Sequence, residues 1–186
     1  TGLSLFGRHV VIVGAGGIAH ALIDLLKPFR VEISVVRRDP RVSVSGATHT
    51  VGPDEFASLL PTADVVVLAA ASTSATASII GEAELKAMPA HAVLVNIARG
   101  ALVDTDALVN ALDRGDIASA GLDVTDPEPL PNGHPLFQRP QCVITSHSAD
   151  TPEMTAPLLA SRISHNVTAF LRGESLRGVV SPTLGY

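Results

Sequence analysis

The sequence predicts an α/β protein built on a parallel, doubly wound sheet, and two observations carry that prediction. Six short, β-branched runs recur along the chain without alternating polarity, which is the pattern of strands buried on both faces. Helical stretches fall between several of them, so strand and helix alternate as parallel strand connections require. A chain of 186 residues, 46% hydrophobic and 17% charged, is long enough for one full-sized core and too apolar to remain disordered. A single domain is therefore expected.

The six runs are 9–13, 31–36, 64–68, 92–96, 118–124 and 142–145. Helices are expected at 18–26, 82–88 and 104–114, the last with Leu108, Ala111 and Leu112 on one stripe and Gly115 placed to close it. A final helix, about 152–171, sets Leu158, Leu159, Ile163, Val167 and Phe170 on an apolar face with no obvious partner. The Pro- and Gly-rich stretch 126–135 reads as a loop between the fifth and sixth strands, not as a linker between domains.

Charge and composition narrow the function classes. With 13 Lys+Arg against 18 Asp+Glu the net charge is -5, so the basic field that nucleic acid or an anionic membrane demands is missing, and a small-molecule partner is expected. The uncharged run 65–81 is too short and too polar for a membrane span, and the first residues carry no apolar signal segment. Cys142 is the only cysteine, which excludes an internal disulfide and a paired-thiol zinc site. No histidine pair has metal-ligand spacing, so no metal is expected, and a cytoplasmic setting fits.

The first chemical motif is Val-Ile-Val-Gly14-Ala-Gly16-Gly17-Ile18-Ala19, which follows a strand and opens a helix. In that context Gly14 serves the tight turn, Gly16 lets the backbone approach a pyrophosphate, and Ala19 allows close helix packing, with the phosphate at the helix N-terminus. The motif fits the loop of a Rossmann-type dinucleotide fold, a doubly wound parallel sheet in three layers, and the same opening also suits an FAD site, less well a methyltransferase, or a plain glycine turn in another α/β fold. At the end of the second strand an NAD site places an acid on the ribose, whereas here stand Arg37 and Arg38. Guanidinium groups there suit a 2′-phosphate, so NADP is expected ahead of NAD or FAD. A two-residue slip would instead put Asp39 on the ribose, and because it keeps strand parity that alternative stays open.

Asn96-Ile97-Ala98-Arg99-Gly100-Ala-Leu-Val-Asp104 closely resembles the N-x-A-R-G-x-x-V-D signature of the D-isomer-specific 2-hydroxyacid dehydrogenases. Gly121-Leu122-Asp123-Val124 running to Glu128-Pro129, and then Thr145-Ser146-His147, follow in the family's order and spacing. The resemblance extends from Leu5-Phe6-Gly7 to Phe170-Leu171-Arg172-Gly173 and the closing Gly185-Tyr186. It implies an NAD(P)-dependent oxidoreductase that moves a hydride between the cofactor and a small D-2-hydroxy or 2-oxo acid, glyoxylate or hydroxypyruvate being the first guess. It also implies a homodimer formed through the cofactor domain, and a second, substrate-binding lobe. Residues 1–186 then form the dinucleotide-binding domain alone, with about 172–186 returning toward that lobe. Poor or no turnover by this chain alone is expected.

By the same resemblance Arg99 binds the substrate's carboxylate and carbonyl, His147 is the acid/base, and Glu128 is the carboxylate behind it. The chemistry agrees: a guanidinium fork holds a 2-oxo acid and stabilises charge developing on its oxygen. An imidazole beside a carboxylate is oriented and kept charged for proton donation. Gly14, Gly16, Gly17, Ile18, Arg37, Arg38, Ala70, Thr76, Ile97, Ala98, Asp123 and Ala149 are the expected cofactor contacts, Asp123 at the nicotinamide carboxamide. The chain departs from the family where Ala71 and Ser146 replace prolines and where Asp150 brings in a carboxylate, so both loops are expected to be looser. A non-catalytic dinucleotide-sensing module of the co-repressor type shares these residues and is the alternative; an FAD or methyltransferase domain is disfavoured by the Arg99, Glu128, His147 spacing.

Overall fold

The computed structural model describes residues 4–181, so Gly185 and Tyr186 of the resemblance lie outside the described residues. The chain divides into two compact units, one ending at Ser146 and one beginning at His147. The first is a seven-stranded, all-parallel sheet in the order β3-β2-β1-β4-β5-β6-β7. Its strands are β1 (His9–Val13), β2 (Glu32–Val36), β3 (His49–Val51), β4 (Val65–Leu68), β5 (Val93–Asn96), β6 (Ser119–Leu122) and β7 (Cys142–Ile144). The helices of this unit are α1 (Gly17–Leu26), α2 (Phe56–Leu59), α3 (Glu82–Ala87) and α4 (Thr105–Arg114).

The central strands β1, β2 and β4 read as buried on both faces because they are, whereas the edge strands β3 and β7 hold no buried residue. On β1, Val10 and Ile12 face one core with Ile33, Val35, Val67 and the α1 residues Ala19, Ile23 and Leu26. Val11 and Val13 face the other core, with Leu68, Leu94, Phe56, Leu85, Leu108 and Leu112. Two apolar layers thus sandwich the sheet, giving three layers in all.

Six of the seven strands correspond to expected runs, most of them a residue or two shorter. β3 was not expected: it is a three-residue edge strand with an exposed first residue, so it lacks the continuous apolar run that marks the others. α2 is a single turn and leaves no periodic signature.

At the edge where the strands begin, Asp64 accepts from the His9 amide (2.8 Å), His91 Nε2 (2.7 Å) and Arg8 Nη1 (3.1 Å). Burial pushes this carboxyl up, but the His9 amide, His91 and Arg8 outweigh it and hold the group below the usual carboxylate range. This network ties that edge of the sheet together and leaves the opposite edge for chemistry.

The second unit contains α5 (Pro152–Leu171), at the bounds expected for the last helix. Its apolar row, Leu158, Leu159, Ile163, Val167 and Phe170, is not covered by the unit's own residues. Among the described residues no helix is long and apolar enough to cross a membrane.

Candidate cofactor and catalytic site

All seven strands point the same way, so their C-terminal ends share one edge, and the order reverses between β1 and β4. A crevice at that reversal is where open α/β sheets take ligands. Gly14 makes the turn out of β1 with φ at 111°, and its amide donates to the Val36 carbonyl at 2.9 Å. A Cβ at Gly14 would stand 2.5 Å from the Ala69 carbonyl oxygen, so no larger residue fits between β1 and β4 there.

Gly16 caps α1, with no side chain bonded to the cap and no acid in the first turn. The first amides of α1 therefore keep the partial positive charge of a helix N-terminus. Gly16, Gly17 and Ile18 are exposed, and a Cβ on either glycine would meet nothing within 4 Å. An anionic pyrophosphate fits this bare, donor-rich surface.

β2 ends at Val36, and 37–42 form a loop closed on itself. Arg37 donates from its amide to Val51 O (3.0 Å) and from Nη1 to Val42 O (2.9 Å). Arg38 is exposed. The Asp39 carboxylate is engaged by Arg41, whose side-chain hydrogen bond holds its pKa below the usual carboxylate value.

Beyond β4, Ala70 leads into a loop closed by Thr76: its hydroxyl accepts from the Thr73 amide (2.8 Å) and donates to Ala71 O (2.8 Å). Hydroxyl bonding thus closes the loop that begins at Ala71. Beyond β5, the buried Asn96 accepts from the Ala98 amide (3.1 Å) and donates to Arg99 O (2.9 Å), which fixes Ile97 and Ala98 and presents Arg99 at the surface.

Gly100 is forced by tertiary packing, since a Cβ there would lie 1.9 Å from the Thr125 carbonyl oxygen. That close approach seats the loop after β6 against the loop after β5, and Thr105 Oγ1 reinforces it by donating to Asp126 O (2.7 Å). The loops that carry Arg99 and Glu128 are brought together in this way. Asp123, at the end of β6, bonds through its amide to Asn96 O (2.9 Å) and accepts from the Thr145 hydroxyl.

His147 opens the second unit with a left-handed backbone, φ 54°, and Ala149 follows it, both exposed. Burial pushes the Cys142 thiol in β7 up to about 11, so at neutral pH it is protonated and a poor nucleophile.

Sequence reasoning missed Gly100 as the link between loops, Thr105, and the role of Arg41. Only Arg41 left a local signal, standing two residues beyond Asp39 with a proline between.

Residues 1–149 match the family model described as D-isomer specific 2-hydroxyacid dehydrogenase, NAD binding domain. A protein from the proB 3′ region of Corynebacterium melassecola is 44% identical over 179 residues, covering 96% of this chain and 59% of the relative. The human glyoxylate reductase/hydroxypyruvate reductase is 37% identical over 179 residues, covering 94% of this chain and 53% of the relative. The chain thus spans little more than half the length of these relatives. A solved D-isomer specific 2-hydroxyacid dehydrogenase from Xanthobacter autotrophicus Py2, in complex with NADPH and MES, superposes with a TM-score of 0.86 at 30% identity, over 96% of this chain and 73% of that one.

Proposed function

The chain belongs to the D-isomer specific 2-hydroxyacid dehydrogenases and carries their NAD-binding domain, and from that premise we propose that it serves the NADPH-dependent reduction of a small 2-oxo acid, glyoxylate or hydroxypyruvate, to the D-2-hydroxy acid. The observation that supports this reading is the order and spacing of Arg99, Glu128 and His147 along the chain, which resemble the family's chemical motifs. Glyoxylate reduction is the activity named for the human relative, and NADPH is the cofactor bound by the Xanthobacter neighbour.

In this reading the α1 N-terminus with Gly14, Gly16, Gly17 and Ile18 holds the pyrophosphate, and Arg37 and Arg38 receive the 2′-phosphate. Ala70, Thr76, Ile97, Ala98 and Ala149 line the cofactor, and Asp123, steadied by Thr145, takes the carboxamide. A bound nicotinamide supplies the hydride. Arg99 clamps the substrate carboxylate and stabilises the negative charge that develops on the carbonyl oxygen as the hydride arrives. His147 is the residue that then gives that oxygen its proton, and Glu128 is the carboxylate that the family's motif order assigns to it. The acidic net charge of -5 favours a small-molecule partner over nucleic acid or an anionic membrane. A cytoplasmic homodimer is the assembly that completes the reading.

Calorimetric titration with NADPH and NADH at fixed, moderate salt tests it. NADPH is expected to bind about tenfold more tightly, with the advantage removed by Arg38→Ala. Equal or NADH-favoured binding would pass the ribose contact to Asp39, and binding of neither would overturn the reading.

A further inference from the structure

The loop after β2 holds one carboxylate and three guanidinium groups, and the carboxylate is already taken. Arg41 donates from Nε to Asp39 Oδ1 (2.8 Å), from Nη2 to Oδ2 (2.9 Å) and from its amide to Oδ1 (3.2 Å). This is the two-pronged fork in which a guanidinium grips both oxygens of one carboxylate. We propose that Arg41 is a specificity-determining residue of the ribose site, because its hold on Asp39 withholds the carboxylate that an unphosphorylated ribose would need. The inference rests on the reading above that this loop receives the adenosine ribose.

The loop is built to keep the pair in place. Pro40 stands between the partners and fixes its own φ, which lowers the entropy lost in closing so short a fork. Its ring lies against Gly52, where a Cβ would be 3.5 Å from Pro40 Cγ, so the loop is seated on the chain just beyond β3. Arg37 anchors the other end through Val51 and Val42.

The pair itself is solvent-exposed, with 87% of the Arg41 side chain and 40% of the Asp39 side chain accessible. Exposed ion pairs contribute little to folding, so the consequence of this one falls on the ligand. A ribose bearing a 2′-hydroxyl must draw Asp39 away from Arg41 before the carboxylate can accept its proton. A 2′-phosphate meets a carboxylate whose charge is neutralised and a loop whose remaining arginines are cationic. Both effects favour the phosphorylated dinucleotide.

The test is a titration of five proteins, the unaltered chain, Arg41→Ala, Arg41→Lys, Asp39→Asn and the double variant Arg41→Ala with Asp39→Asn, with NADH and with NADPH at one salt concentration. Arg41→Ala is expected to tighten NADH binding about tenfold, the size of a hydrogen bond to a charged group, and to weaken NADPH binding. The gain for NADH is expected to vanish in the double variant, since it needs the freed carboxylate. Arg41→Lys, which keeps the charge but not the fork, is expected to fall between. If Arg41→Ala weakens NADPH and leaves NADH unchanged, Arg41 is only a phosphate contact; the proposal is then overturned while the NADPH reading stands. If the unaltered chain itself prefers NADH, that reading fails before any variant is made, and this proposal fails with it.

Discussion

α4 and α5 were equally legible as helices, yet they are held by different physics. The ten residues of α4 bury Ala107, Leu108, Ala111 and Leu112 in the sheet core. Asp104 caps its first turn by accepting from the Ala107 amide at 2.9 Å, and Gly115 closes it in the left-handed region with φ 72°. α5 is twice as long at 20 residues, buries only Ala169, has no side-chain bond at its N-cap and carries Pro157 within it. Helical period sets where a helix lies, while stability comes from what its apolar stripe meets. α4 meets a sheet, whereas the stripe of α5 meets nothing within its own unit.

The sharpest way to break this contrast is to remove the same side chain from each helix. Leu108 is 1% exposed in the core beside the sheet. Leu108→Ala is expected to cost about 2–5 kcal/mol, read as a lower denaturant midpoint with an unchanged slope, because a cavity is left as well as apolar area lost. A smaller loss would mean that the α4 side of the core collapses to fill the gap. The cap tests the same helix at its end: Asp104→Ala is expected to cost about 1 kcal/mol in the same measurement, since it leaves the Ala107 amide without its acceptor. An unchanged midpoint would mean that water replaces the aspartate at no cost.

What the sequence made legible follows the same division. The central strands were legible because each is a local apolar run, and the glycine turn was legible because Gly14, Gly16 and Gly17 stand together between a strand and a helix. The edge strand β3 was missed because His49-Thr50-Val51 is mostly polar, whereas the equally short edge strand β7 was found because Cys142-Val143-Ile144 is apolar throughout. Arg99 and Glu128 were named from an ordered motif, but the reason their loops meet is the clearance between Gly100 and the Thr125 carbonyl, a contact between segments distant in the chain. The use of Thr76 was also hidden: its hydroxyl is spent on the loop's own Thr73 amide and Ala71 carbonyl. Identities can be read along a chain, whereas close approaches and spent hydrogen-bonding capacity belong to the fold.

The smallest expected effect discriminates best between the two helices. Leu158 lies 73% exposed on the apolar row of α5, so Leu158→Ala removes little covered area and leaves no closed cavity. Its stability change is expected to stay within about 0.5 kcal/mol, with the better helix propensity of alanine offsetting part of any loss. Amide exchange sharpens the point: α5 amides are expected to exchange through local opening, while those of α4 wait for global unfolding. Should Leu158→Ala instead approach the cost of Leu108→Ala, the row is covered in solution. A concentration-dependent midpoint would then identify the cover as a second copy of the chain, because only association makes stability depend on protein concentration.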